Sequence, residues 1–171
     1  MLLDLALCTI RQWKQTDVPD LVRYANNRAV WFNLRDTFPH PYTEADARKY
    51  ITISNGQNPV SSFAIEVNGC AAGSIGFMIK SGVYARTVEL GYWLAEDFWG
   101  RGIATCAASG MLSYVLQKYN PVRVYACCFE WNKGSARVLE KAGFHLEARL
   151  KKGIIKDGRV GDELIYAFIN K

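Results

Sequence analysis

The stretch Phe98 to Thr105 reads FWGRGIAT and constrains the chain more than any other. Before it, Val88-Glu89-Leu90-Gly91-Tyr92-Trp93-Leu94 alternates in the manner of a strand, and after it an apolar pattern of helical period runs to about Tyr119. A strand, a short glycine loop and a helix in that order make a place for an anion. The helix N-terminus supplies unpaired N–H donors and the positive end of its dipole. Gly100 and Gly102 let the main chain approach a phosphate and adopt dihedrals that a Cβ disfavours, and Arg101 adds a cation between them. The same residues also suit an ordinary tight turn from strand to helix.

Two common phosphate loops do not fit. A Walker loop needs Gly-Lys followed by Ser or Thr, and no such pair follows these glycines. A dinucleotide fingerprint needs a third glycine where Thr105 stands, and an acidic ribose partner about 20 residues on, which is missing.

The chain has 171 residues, 50% hydrophobic and 22% charged, which predicts one folded domain spanning 1–171 with a sizeable core. No window approaches the apolar length of a membrane span, and MLLDLALCTIR, with its early Asp4 and no basic start, reads as a first strand rather than a signal peptide. The five cysteines are odd in number, sit in apolar patterns and lack C-x-x-C spacing with histidines. They read as reduced thiols of a cytoplasmic protein. With His40 and His145 the only histidines, neither a metal site nor a His-based triad is supplied, and no metal is expected. A net charge of +5 fits an anionic ligand. It also fits nucleic acid, but the Lys and Arg form no dense block, which weakens that case.

In chain order, Leu5 to Trp13 predicts a strand, and Thr16-Asp17-Val18-Pro19 a helix start leading to Asn26. Trp31 to Arg35 is a short aromatic segment, and Phe38 to Tyr42, with two prolines, an irregular loop. Thr43 with Asp46 resembles a capping box for a second helix to about Ser54. Ser61–Val67 and Cys70–Ile79 form a hairpin around Asn68-Gly69, followed by a strand over Thr87–Leu94. Beyond the helix that ends near Tyr119 come a strand over Val122–Phe129, a helix over Ala136–Ala142 closed by Gly143, and strands over Phe144–Lys151 and Glu163–Ile169. The order predicts an α/β (α+β) domain built on a mixed sheet, with a crossover at each long helix.

A second motif joins the first. Asn132-Lys133-Gly134-Ser135 opens the helix that ends in Gly143-Phe144, and taken alone it is only a capping signal. Together with Gly102-x-Ala104-Thr105 about thirty residues earlier, it resembles the GNAT superfamily of N-acetyltransferases. Pro39-x-Pro41-Tyr42-Thr43, Glu89 to Leu94 and Asp162-x-x-x-Tyr166 look like the branch holding the ribosomal-protein N-terminal (alanine/serine) acetyltransferases. The match is imperfect. Trp99 stands where the loop usually begins with Gln or Arg, Cys106 where this branch usually has Glu, and Leu139 where many members have a catalytic Tyr.

The resemblance implies a mostly antiparallel sheet of six to seven strands flanked by about four helices, acetyl-CoA as cosubstrate, and a primary amine as acceptor. It implies cofactor contacts from Trp93, Leu94, Trp99, Gly100, Arg101, Gly102, Ile103, Ala104, Thr105, Asn132 and Arg137, with the backbone at Trp93-Leu94 stabilising the thioester carbonyl. Glu89 is the expected base, although a strand-end carboxylate answering a nearby cation reads equally from the residues. Ser135 is the hydroxyl available to the leaving thiolate, or only a helix cap. Phe32, Arg35, Tyr42 and Tyr92 are the expected acceptor-side residues, although Trp31 to Tyr42 also reads as a core plug.

For the acceptor, the resemblance favours a protein or peptide N-terminus. Trp31–Tyr42 carries Asp36 as its only carboxylate and Lys151–Arg159 is basic, so a groove flanked by both would repel a polyamine. Polyamine or small-molecule acetylation and a non-catalytic CoA-binding regulator remain alternatives, as does a homodimer, with no membrane partner expected and nucleic acid disfavoured.

Overall fold

Asn68 and Gly69 take left-handed dihedrals (φ 50° and 82°) and join β3 (Ser62–Val67) to β4 (Cys70–Ile79) as a two-residue hairpin, the turn that an Asn-Gly pair favours. A computed structural model describes residues 2–171. The remaining strands are β1 (Leu2–Asp4), β2 (Thr9–Arg11), β5 (Thr87–Leu94), β6 (Arg123–Phe129), β7 (His145–Lys156) and β8 (Arg159–Ile169). One eight-stranded sheet results, in the order β1-β2-β3-β4-β5-β6-β8-β7. Every neighbouring pair is antiparallel except β5 and β6.

Five helices cover the sheet: α1 (Val18–Ala25), α2 (Arg28–Trp31), α3 (Glu44–Gly56), α4 (Ile103–Tyr119) and α5 (Lys133–Lys141). The capping box at α3 forms as read, with Thr43 Oγ1 accepting from Asp46 N–H and Asp46 Oδ2 accepting from Thr43 N–H. Asn27 caps the single turn of α2, which lies between the expected end of the first helix and the aromatic segment from Trp31. On one sheet face, Val88, Leu90 and Leu94 pack with Ile103, Met111 and Leu139 under α4 and α5. On the other, Trp93 packs with Leu21, Tyr24 and Ile51 under α1 and α3.

Three expectations change. The strand read over Leu5–Trp13 is a tight turn followed by β2, closed by Leu5 N–H donating to Cys8 O. The reason is tertiary: Leu5 covers Gly110 of α4, where an added Cβ would lie 2.6 Å from its Cδ1. The helix start read over Thr16–Pro19 forms without a side-chain cap; the Asp17 carboxylate instead takes a bidentate pair from the buried Arg11 (2.7 and 2.8 Å) and a bond from Lys14 N–H. The last two strands run on to the Asp157-Gly158 turn because a register shift between Leu150 and Ile154 absorbs the Lys151-Lys152-Gly153 break. The sheet therefore has eight strands rather than six or seven, and five helices rather than about four.

The feature that positions the site is where one ladder stops. β5 and β6 pair only over Thr87–Glu89 and Arg123–Tyr125, and their remaining residues diverge. A wedge-shaped gap opens in the middle of the sheet, at the C-terminal ends of two parallel strands.

Candidate active site

The glycine loop closes one end of the gap. Gly100 and Gly102 have φ of 74° and 78°, which residues with a Cβ rarely adopt. Gly102 is the N-cap of α4 and no side chain caps it, so the first-turn donors of Ile103, Ala104 and Thr105 are left for an anion. Leu7 braces the loop from the β1–β2 turn, 3.4 Å from where a Gly102 Cβ would lie. Arg101 is exposed, with its guanidinium over the Phe98 ring. Trp99 donates its indole N–H to Leu94 O at 2.7 Å, fastening the loop to the end of β5.

Backbone alternation aims β5 at the gap. Ala95 donates to Ala72 O and Lys80 to Thr87 O, so odd-numbered β5 residues bond to β4. The N–H groups of Tyr92 and Leu94 therefore turn toward the gap. Of the expected Trp93-Leu94 pair, Leu94 alone offers its N–H there; Trp93 pairs with Ser74, and its side chain is buried in the α1–α3 layer.

On the α4–α5 face, the Tyr92 hydroxyl meets Ser135 Oγ at 2.8 Å and also donates to Ser135 O at 3.2 Å. Burial pushes the Tyr92 phenol well above its ordinary value. The Cys128 thiol, which burial pushes up to about 11, lies beside the same pair. Asn132 is the true cap of α5, accepting from Ser135 N–H at 3.0 Å. The helix thus begins before Ser135 and leaves its hydroxyl for Tyr92. Leu139 is fully buried in the core below, so a tyrosine there would have no room.

On the opposite face, Glu89 occupies the last paired position of β5. Its Oε2 accepts from Lys80 Nζ (2.5 Å) and Tyr125 OH (2.9 Å), and its Oε1 accepts from Arg35 Nη2 (2.9 Å). Burial acts to raise its pKa, but the bonds from Lys80 and Tyr125 and the charges of Arg35 and Lys80 hold it below the ordinary carboxylate value. Gly91, two residues on, is exposed, with nothing within 4 Å of a would-be Cβ. The Cys127 thiol lies beside Arg35, Glu89 and Glu163 and is pushed up to about 11 by burial. A cleft of about 180 Å³ continues from here, lined by Leu34, Arg35, Phe129, Ile154 and Glu163 among others.

Residues 8–145 match the family model described as an acetyltransferase (GNAT) domain. The chain belongs to the GNAT family. Among GNAT relatives, it is 30% identical to the uncharacterized N-acetyltransferase YnaD of Bacillus subtilis over 76% of each chain. It is 32% identical to the ribosomal-protein-serine acetyltransferase of Escherichia coli K12, over 49% of this chain and 47% of that one, so it spans about half the length of that relative. The fold superposes on RimL, a ribosomal L7/L12 α-N-protein acetyltransferase solved with coenzyme A as a disulfide to one of its cysteines. That match has a TM-score of 0.85 at 21% identity and covers 99% of this chain and 98% of RimL.

Within this GNAT domain, the fold gathers most of the expected residues around the gap and separates others. Trp99 is tied to Leu94, Tyr92 to Ser135 and Ser135 to Asn132, while Glu89 stands where the β5–β6 ladder ends. Tyr92, expected on the acceptor side, lies on the other face against Ser135. Tyr42 is a core residue, 4% exposed with its ring on Phe38, so the core-plug reading holds for it. Phe32 stacks on Trp131 at the rim. Arg137 is exposed on α5 and makes no ion pair among the described residues.

Lys80, Tyr125, Cys127 and Glu163 escaped the sequence reading. Period-two alternation groups Tyr125, Cys127 and Phe129 on one face, but only strand register brings Glu89 opposite Tyr125 and Met78. Part of the charge on the two flanking segments is paired. Lys156 is buried beneath the Trp31 ring and paired with Asp36, and Arg28 pairs with Asp157, so the two flanking segments clasp each other. Glu130, Asp162 and Glu163 line the same side, matched by Arg149 and Arg35. Lys151, Lys152 and Arg159 of the basic turn make no ion pair among the described residues. No helix is long and apolar enough to cross a membrane, and the described residues hold no His/Cys/Asp/Glu group suited to a metal.

Proposed function

We propose that the protein transfers the acetyl group of acetyl-CoA to a primary amine, favouring the α-amine of a protein or peptide N-terminus. The observation that carries this is the gap itself: an uncapped glycine-loop helix at one end, a hydroxyl pair on one face and a held carboxylate on the other. The uncapped loop suits acetyl-CoA: the N–H groups of Ile103 to Thr105 and Arg101 would hold its pyrophosphate, and Asn132 would hold the arm that carries the thioester. Acetyl-CoA supplies an acyl group with a good thiolate leaving group.

The chain's own groups do the rest. Leu94 N–H, aimed into the gap, donates to the carbonyl oxygen as negative charge develops there. Glu89, ionised at neutral pH, takes the amine proton, directly or through one water. Tyr92, a phenol protonated at neutral pH and held on Ser135, offers its proton toward the departing sulfur from the opposite face. An α-amine with a pKa of about 7.7–8.0 is neutral in roughly one molecule in six to eleven at pH 7, whereas a lysine is neutral in about one in a few thousand. A base held below its ordinary pKa suits the first acceptor far better. The relative named for ribosomal-protein serine acetylation supports the same choice.

The test is an acetyl-CoA turnover screen with Ala- and Ser-initiated peptides, spermidine and an N-blocked lysine peptide. The peptides should show the highest kcat/KM. Faster spermidine turnover overturns the acceptor choice, and no turnover with any amine overturns the enzyme reading in favour of a CoA-binding regulator.

A further inference from the structure

Arg35 reaches into the acceptor side from the loop between α2 and α3, and its position is unusual for a residue expected to greet an amine. Its Nη2 lies 2.9 Å from Glu89 Oε1 and 4.0 Å from Glu163 Oε1, bridging carboxylates from β5 and β8. The Arg35 side chain is 60% exposed, whereas those of Glu89 and Glu163 are 16% and 20% exposed. The carboxylates are walled in, and the cation comes from solvent. Glu89 does not need Arg35 to stay in place, because Lys80 and Tyr125, both within or at the end of sheet strands, hold its other oxygen. The Cys127 thiol lies beside the guanidinium.

We propose that the Arg35 guanidinium is an intramolecular stand-in for the acceptor's ammonium group, seated between Glu89 and Glu163 and displaced outward when the acceptor enters. This rests on the amine-acetylation reading and deepens it. Glu163 becomes an acceptor-binding residue, and Arg35 sets specificity by competing with the substrate rather than by touching it. The physics favours exchange. An ammonium replaces a guanidinium with the same charge and the same kind of N–H donors, so the two carboxylates stay neutralised throughout. The contact broken is an ion pair to a largely exposed arginine, a class of interaction that contributes little to stability. Acceptors without a free amine cannot make the replacement and leave Arg35 seated.

The test titrates a Ser-initiated tetrapeptide, and its N-acetylated twin, into CoA-saturated wild type, Arg35→Gln, Arg35→Lys and Glu163→Gln by calorimetry. Arg35→Gln should bind the free-amine peptide at least threefold more tightly than wild type, Arg35→Lys should return near wild type, and Glu163→Gln should bind at least fivefold more weakly. The acetylated twin should bind weakly and alike in all four. In turnover, the Arg35→Gln gain should appear as a lower peptide KM. Equal or weaker peptide binding by Arg35→Gln, or no difference between the two peptides, overturns the proposal. If the binding pattern holds but no variant turns over acetyl-CoA, the acetyl-transfer reading fails instead.

Discussion

Tyr92 and Ser135, forty-three positions apart in the chain, meet hydroxyl to hydroxyl at 2.8 Å on the α4–α5 face of the gap. The bond gives Ser135 a role that helix capping does not explain, because Asn132 already caps α5. Tyr92→Phe is expected to lower kcat by roughly 10²-fold or more, in the range general acids contribute. Ser135→Ala should do less alone, and the double variant should fall short of the product of the two losses, since the residues share one bond. Single-turnover kinetics checks this, and fully multiplicative losses would show that the hydroxyls act apart.

Glu89→Gln should cut kcat by about 10²-fold or more. The pH profile should respond in a particular way. The Glu89 carboxyl is held below its ordinary value of 4.5, so it is ionised throughout neutral pH, and its contribution is lost only as pH falls through that lowered value. A rising limb between about pH 6 and 8 therefore belongs to the acceptor amine, with its pKa of about 7.7–8.0. The variant should lower the plateau and leave that limb where it is. A shifted limb would mean that Glu89 titrates there.

At the glycine loop, Gly102→Asp is expected to abolish acetyl-CoA binding. The new carboxylate would face the phosphates, and φ of 78° strains any side chain at that position. Gly102→Ala should weaken binding less, through dihedral strain and contact with Leu7 at 3.4 Å. Calorimetric titration of both, with circular dichroism confirming the fold, decides; unchanged affinity in folded Gly102→Asp removes the loop from the cofactor site.

Asp17→Ala tests the buried ion pair that ties β2 to the start of α1. Arg11 would keep its charge in a site where it is only 7% exposed, with Glu66 as its remaining partner. Breaking such a pair costs about 3–5 kcal/mol. At roughly 2–4 °C per kcal/mol for a chain of this size, melting should fall by about 6–20 °C. A loss below about 2 °C would mean that Glu66 alone suffices.

Much of this was legible from local signals. The Asn68-Gly69 hairpin, the Thr43–Asp46 capping box, β5 to its last residue and the glycine loop each follow from short-range sterics and periodicity, and each stands where it was read. The errors lie where distant packing overrules a local pattern. Leu5 leaves its strand to fill the hollow over Gly110, and Tyr42, written like a groove residue, sinks into the core beside Phe38.

By itself, then, the sequence determined most of the strands and helices, the glycine loop that opens α4, and the family. Those properties rest on dihedral preference, side-chain period and spacing within a few turns of chain. Only the tertiary structure decided that the β5–β6 ladder ends at Glu89, and so that Glu89 and Tyr92 flank one gap from opposite faces. It alone set Arg35 between Glu89 and Glu163, residues 54 and 128 positions away. Register between distant strands is settled by the packing of both sheet faces at once, and no single stretch of chain carries it.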